Sequence, residues 1–218
     1  MEEFIIKKPY NIANYLQNDK NNKENDKNKI KESAKVDLNC VLKGAFKLDD
    51  NVEIKHFSFI DNSEIGASST IFNSVVENSV VGENCKVGPF AHIRPNSKIL
   101  NNVKIGNFVE IKNSVIGENT KISHLAYVGD AVVGKNCNIG CGVIFVNYNG
   151  KQKNKIVVGD NCFIGSNCNL IAPLNIADGT YICAGTTVTK DTNVNDFVIG
   201  RCKEVVKQNR ATKYFGVE

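Results

Sequence analysis

The stretch Val81–Lys112, VGENCKVGPFAHIRPNSKILNNVKIGNFVEIK, repeats itself every six residues. Its aliphatic anchors are Val81, Val87, Ile93, Ile99, Ile105 and Ile111. A later run, Val158, Ile164, Leu170, Ile176, Ile182 and Val188, keeps the same step. Glycine follows an anchor at positions 66, 82, 88, 106, 117, 129, 134, 140, 159 and 165. Six residues make one short strand and a corner. Three such rungs close a triangular coil of about eighteen residues, and stacked coils form a parallel β-helix.

Working outward, the anchors run as Val36, Leu42, Leu48, Ile54, Ile60, Ile65, Ile71 and Val76 up to Val81. Beyond Ile111 they continue as Ile116, Ile122, Val128, Val133, Ile139 and Phe145. Together these are 26 anchors, nearly nine coils of three. The step from Phe145 to Val158 is thirteen residues, so an insertion of about seven sits around Asn147–Lys153; insertions in a solenoid leave as loops from one face and often bind ligands. The residue four places after an anchor points inward near a corner and has to be small, as at Ala91, Ser97, Val109, Thr120, Ala126, Thr180 and Thr186. Glycine after the anchor is expected to supply the backbone angles of a tight corner.

The coil is expected over 36–192. Residues 1–35 read as an N-terminal arm, because residues 18–33 hold one aliphatic residue, Ile30, and cannot bury enough to order themselves. Residues 1–17 are expected to form a short helix or to lie along the coil. Residues 193–218 leave the repeat and read as a C-terminal arm with a short helix near Lys203–Arg210. No apolar run is long enough for a signal peptide or a membrane span.

The net charge is +4 and the isoelectric point about 8.5. Such a mild balance does not indicate nucleic acid, and a phosphorylated small substrate accounts for it equally. Of the eight cysteines, Cys40, Cys85, Cys137, Cys162 and Cys168 fall in the small inward slot, where cysteine behaves as a small hydrophobe. No CxxC pair occurs, and no metal site is expected. Structural thiols point to a reducing compartment, hence a cytoplasmic protein.

Departures from the repeat carry the chemistry. Arg94 and Lys112 each follow an anchor and are eighteen residues apart, one full coil. They therefore leave the same face about one inter-strand spacing apart and need an anion between them. The inserted loop leaves that face too, which brings Lys153 to the same anion. The plain alternative is a pair of solvated surface cations. His124 is one of three histidines, with His56 and His92. A lone histidine is ordinarily packed or superficial, but this one lies one rung before the basic face, with Tyr127 at the adjoining corner. Imidazole suits general-base work near neutral pH.

These residues carry a resemblance. Gly88-Pro89-Phe90-Ala91-His92-Ile93-Arg94-Pro95, Gly106-Asn107-Phe108-Val109-Glu110-Ile111-Lys112 and His124-Leu125-Ala126-Tyr127 with Gly129-Asp130 resemble the acetyltransferase half of the bacterial bifunctional enzymes that make UDP-N-acetylglucosamine. So do Asn147-Tyr148, Phe163-Ile164-Gly165-Ser166, Ala172-Pro173 and Ala184-Gly185-Thr186-Thr187-Val188. The likeness covers roughly residues 36–205. It implies a left-handed β-helix, a homotrimer, and transfer from acetyl-CoA to glucosamine-1-phosphate. His124 would be the general base. Arg94, Lys112 and Lys153 would bind the sugar phosphate, and Tyr127, Asn138 and Asn147 would position the sugar. Cys141, Ser166, Ala184 and Arg201 would hold acetyl-CoA, partly across a subunit interface. Rung counting puts Asn138 at another corner from Tyr127, so its role rests on the resemblance.

Three departures stand out. No Gly-rich nucleotide loop precedes the coil, so the chain is expected to work without a uridylyltransferase half, alone or beside a separate enzyme. Cys141 and Asn149 stand where the family usually has Ala and Asp. Other readings are acetylation of a different, for example nucleotide-linked, amino sugar, and a non-catalytic trimeric scaffold. The zinc carbonic anhydrase built on the same coil needs three histidines at a spacing that this chain does not offer.

Overall fold

A computed structural model describes residues 3–5 and 28–216. Short strands alternate with corners around three faces, and each strand pairs with the equivalent strand of the next coil. The first face carries Val41–Lys43, Phe59–Asp61, Val75–Glu77, His92–Ile93, Glu110–Lys112, Tyr127–Gly129, Ile144–Val146, Asn169–Ile171 and Thr187–Val188. The second runs from Lys29–Ile30 through Lys98–Ile99, Val115–Ile116 and Ala131–Val133 to Leu174–Ile176. The third runs from Lys35–Val36 through Lys104–Asn107, Lys121–His124, Asn138–Ile139, Phe163–Ile164 and Tyr181–Ile182 to Phe197–Val198. Pairing is parallel throughout the coil, with anchor opposite anchor, as in Ile93↔Ile111 and Ile122↔Ile139.

All 26 anchors are buried, none more than 4% exposed. Burying one such side chain contributes roughly 1.5–3 kcal/mol, so the three stacked columns form the core. The inward slot holds mostly small residues as read from the repeat, but Phe46 and Leu174, four places after Leu42 and Leu170, are large and buried there, so the slot is not restricted to small side chains. Cys40, Cys85, Cys137, Cys162 and Cys168 are buried in it, and all eight cysteines are free thiols. Buried Ser and Thr of this slot bond the backbone, as Thr120 Oγ1 donates to Gly134 O at 2.8 Å and Thr186 Oγ1 accepts from Gly200 N at 3.2 Å.

Glycine after the anchor does a different job from the one expected. Among those ten glycines only Gly88 has a positive φ. The left-handed corner position is taken mostly by Asn, for example Asn102, Asn119, Asn136 and Asn161, with φ between 56° and 60°. Asparagine tolerates this conformation better than other side chains. Here the amides also bond along the column, Asn119 to Asn136 and Asn136 to Asn161, each at 3.1 Å. The glycines are needed for close approach instead. A Cβ on Gly134 would lie 2.6 Å from the Gly159 backbone, and one on Gly140 would lie 2.6 Å from Ser166 N.

Paired strands flank the 36–192 stretch on both sides. Lys29–Ile30 pairs with Lys47–Leu48, and Phe197–Val198 pairs with Tyr181–Ile182. Ile30 and Val198 pack against the core, which explains why they join it. Near the N-terminus, Glu3–Ile5 runs antiparallel to Val41–Lys43 and so covers an open strand edge. Residues 6–27, which include most of the stretch read as a solvated linker, lie outside the described residues. The helix expected near Lys203–Arg210 is not there. Asn209 turns the arm with φ 54°, and the short helix is Thr212–Phe215. No helix among the described residues is long and apolar enough to cross a membrane.

The close-approach reading predicts that Gly134→Ala destabilises the coil by roughly 1–3 kcal/mol, the usual range for overpacking. A urea midpoint indistinguishable from that of the unchanged protein would refute it.

Candidate active site

The site grows from two neighbouring columns. On the first face, the residues just after the anchors include Glu77, Arg94, Lys112 and Gly129, with Lys112 in register with Gly129. The residues just before them are His92, Glu110 and Tyr127. Outward side chains of adjacent coils meet diagonally. Glu77 accepts from His92 Nε2 at 2.8 Å, and Arg94 Nη1 donates to Glu110 Oε1 at 2.6 Å. The anion that Arg94 requires is thus supplied by the chain itself. Glu110 raises the guanidinium pKa further by this bond. Nothing in the repeat marks Glu110 as a partner, since it belongs to the next coil and the opposite side of its anchor.

The inserted loop returns to the same face as a small hairpin, closed by pairing of Tyr148 with Lys153. Lys153 then stands beside Lys112. Contact with the Lys153 ammonium, its charge, partial burial and the charge of Arg94 push the Lys112 amine below the usual lysine range, and Asp130 opposes the shift. Asn147 is the one buried residue of the loop, 6% exposed. Its Nδ2 donates to Asp130 Oδ2 and lies 3.4 Å from the Tyr127 hydroxyl. Gly129 makes room for this arrangement, because a Cβ there would meet the Tyr127 hydroxyl and sit 2.7 Å from Asn147 Nδ2. Arg94, Lys112, Lys153, Tyr127 and Asn147 therefore come together on one face.

The second column runs up the corner between the third and first faces. Asn107, His124, Cys141, Ser166 and Ala184 each stand two residues beyond an in-register anchor. Corner bonds tie successive coils, Gly142 N to Leu125 O at 2.9 Å, Asn167 N to Cys141 O at 2.7 Å and Gly185 N to Ser166 O at 2.8 Å. The His124 ring is exposed, and its Nδ1 lies 3.1 Å from Asn107 Oδ1. Asn107 thereby fixes the ring orientation and leaves Nε2 for another partner. Above His124 the corner carries only short side chains. Cys141 is half-buried, Ser166 and Ala184 are exposed, and the Arg201 side chain passes over Gly185 at 3.9 Å from a Cβ built there. Asn138 is not brought to Tyr127. It stands on the third face, in register with Lys121 and Phe163.

Comparison with known proteins matches this architecture. The family model of the GMPPB C-terminal domain matches residues 76–149. The chain is 48% identical over 169 residues to the bifunctional protein GlmU of Clostridium botulinum (strain ATCC 19397 / Type A), covering 78% of this chain. It is 50% identical over 173 residues to the protein of the same name from Clostridioides difficile (strain 630). It spans only 37% and 38% of those relatives' lengths. Among solved structures, the UDP-N-acetylglucosamine acyltransferase of Campylobacter jejuni superposes with a TM-score of 0.53 at 16% identity, covering 76% of this chain and 66% of that one. The Arabidopsis UDP-N-acetylglucosamine acyltransferase gives 0.54 at 21% identity, covering 77% and 68%.

Lys153→Met should return the Lys112 amine toward the ordinary lysine range, because it removes the nearest like charge. NMR titration of the Lys112 side chain checks this, and an unchanged or lower pKa would show that the two ammonium groups do not face each other. By its coil and its sequence, the chain is a left-handed parallel β-helix of hexapeptide repeats, similar to the portion of bifunctional protein GlmU that it spans.

Proposed function

We propose that the protein transfers an acetyl group from acetyl-CoA to the amine of glucosamine-1-phosphate. The observation that carries this reading is the convergence of Arg94, Lys112 and Lys153 on one face, one corner away from His124. Three cations with two carboxylates among them form a site for a dianion such as a sugar phosphate. Charge-assisted hydrogen bonds to phosphate are the strong kind. Tyr127 and Asn147, at the edge of that cluster, would position the sugar.

Acetyl-CoA supplies an acyl thioester, which an amine attacks without further activation. The strip of short side chains from Cys141 through Ser166 to Ala184 fits a narrow extended chain laid along the corner. Arg201 near its upper end suits a phosphate group. His124, with Nδ1 held by Asn107, would take the proton that the neutral acceptor amine sheds as its nitrogen bonds the acyl carbon, and the carbon–sulfur bond would then break, CoA leaving as the thiolate that regains this proton. A positioned base of this kind typically gives about 10²–10⁴-fold. Backbone N–H groups at the corner could stabilise the developing oxyanion.

The same reading makes the active form a homotrimer in which Asn138 reaches the site from a neighbouring copy. Asn138 lies on a different face from Tyr127 within one chain. Directly above it, Phe163, Tyr181 and Phe197 stack at 4.7 and 5.4 Å with their outer faces exposed. Buried intracellular-type thiols fit a cytoplasmic enzyme, and a uridylyltransferase would act as a separate partner. A neutral or nucleotide-linked amino sugar is the competing acceptor. The cationic cluster disfavours a neutral sugar, and a nucleotide-linked one, which is anionic too, is separated from glucosamine-1-phosphate by an acceptor screen.

His124→Ala should lower turnover at least about 100-fold, the general-base range, while acetyl-CoA still binds by calorimetry. A loss below tenfold would make His124 structural. Arg94→Ala and Lys112→Ala should each raise KM for glucosamine-1-phosphate about 10–100-fold, the worth of a charged hydrogen bond, and change free glucosamine kinetics little. Equal losses on both acceptors would end the sugar-phosphate assignment. Light scattering decides the assembly, and a stable, fully active monomer would remove the shared site.

A further inference from the structure

We propose that Asp130 is a positioning residue. It tethers the inserted loop to the strand that carries Lys112, so that Asn147 and Lys153 face Arg94 and Lys112. The kinetic half of this proposal rests on the acetyltransferase reading, whereas the tether itself does not.

Asp130 closes the corner after Tyr127–Gly129 in the left-handed conformation, with φ 50°. Every polar atom that it offers is engaged. Its N–H donates to Lys112 O at 3.0 Å, and its carbonyl accepts from Ile156 N at 3.3 Å. Its Oδ1 accepts from Asn113 Nδ2 at 2.6 Å, and its Oδ2 accepts from Asn147 Nδ2. One residue therefore holds the strand carrying Lys112, the start of the loop and the end of the loop. Apart from these, the loop is held to the coil by Leu174 N, which donates to Lys155 O at 3.3 Å, and by the 3.4 Å approach of Asn147 Nδ2 to the Tyr127 hydroxyl. From position 147 to 155 only Asn147 is buried, and the hairpin bonds among Asn147, Asn149, Gln152 and Asn154 shape the loop without attaching it.

The carboxylate also has an electrostatic part. Its charge favours the protonated form of both Lys112 and Lys153. Both amines lie at the surface, where water screens this charge, so the hydrogen bonds rather than the charge hold the loop.

The test uses the full chain with Asp130→Gly and Asp130→Asn. Glycine removes the carboxylate and adopts the positive φ freely. Asparagine keeps the shape, since its carbonyl can accept from Asn147 while the exposed Asn113 amide turns over to accept from the new Nδ2. Trypsin reads the loop directly at Lys151, Lys153 and Lys155. Cleavage there should be about tenfold faster in Asp130→Gly, because proteolysis follows the open population, and close to the unchanged protein in Asp130→Asn. With glucosamine-1-phosphate, Asp130→Gly should raise KM about 10–100-fold through loss of the Lys153 contact and leave kcat nearly unchanged, with Asp130→Asn restoring KM. Should Asp130→Gly fail to fold, Asn147→Asp sets two carboxylates against each other with the corner intact and should release the loop in the same assay. Loop cleavage in Asp130→Gly equal to the unchanged protein, or Asp130→Asn as open as Asp130→Gly, overturns the tether. If the unchanged protein does not acetylate glucosamine-1-phosphate, the acetyltransferase reading fails, and proteolysis alone still decides the role of Asp130.

Discussion

Each strand of this protein hydrogen-bonds to the equivalent strand one coil away, and everything else is arranged on that pairing. Arg94 N donates to Ile111 O, Gly140 N to Ile164 O and Gly165 N to Ile182 O, all at 2.8 Å. Neighbouring strands therefore lie about 4.7–4.9 Å apart. The molecule becomes a set of vertical columns with a fixed rise. A column holds inward anchors, small inward residues, corner asparagines or outward side chains, and each residue's neighbours are set by its height. The close spacing is also why glycine is needed after so many anchors. At those points the next coil's backbone occupies the space of a Cβ.

The candidate site uses this lattice in two ways. Along the corner, small residues above His124 leave a continuous strip, because a column repeats one position without crossing over. Across the first face, diagonal contacts bring opposite charges together, Glu77 with His92 and Arg94 with Glu110. The cluster is partly neutralised before any substrate arrives. Both partners of the Arg94–Glu110 pair are about two-fifths exposed, so water screens the pair and its contribution is small. A dianion can therefore replace Glu110 as the guanidinium partner at modest cost. An uncharged sugar has nothing comparable to offer in exchange.

The one long interruption of the repeat is where the lattice stops dictating position. Residues 147–155 have no stacked equivalents above or below, so their place depends on side-chain bonds rather than on strand register. Asn147 is buried in the coil's surface, and the hairpin carries Lys153 back over Lys112. A loop held this way is free to differ in sequence as long as its anchor points remain.

The amino-acid sequence by itself determined the coil, because a six-residue period is a local property and each anchor needs only its own burial. Anchors and inward slots came from spacing alone, and so did the reading of five cysteines as small core residues. The stacking of Arg94 on Lys112 also followed from spacing, since eighteen residues make one coil there. Only the tertiary structure decided which columns meet. The corner positions His124, Cys141, Ser166 and Ala184 are separated by 17, 25 and 18 residues, an uneven spacing that hides their alignment. The pairing of Arg94 with Glu110, the fourfold use of Asp130 and the placing of Asn138 on another face are likewise contacts between coils. The period names the residues that point outward; the summed lengths of the rungs between them decide which of those residues stand side by side.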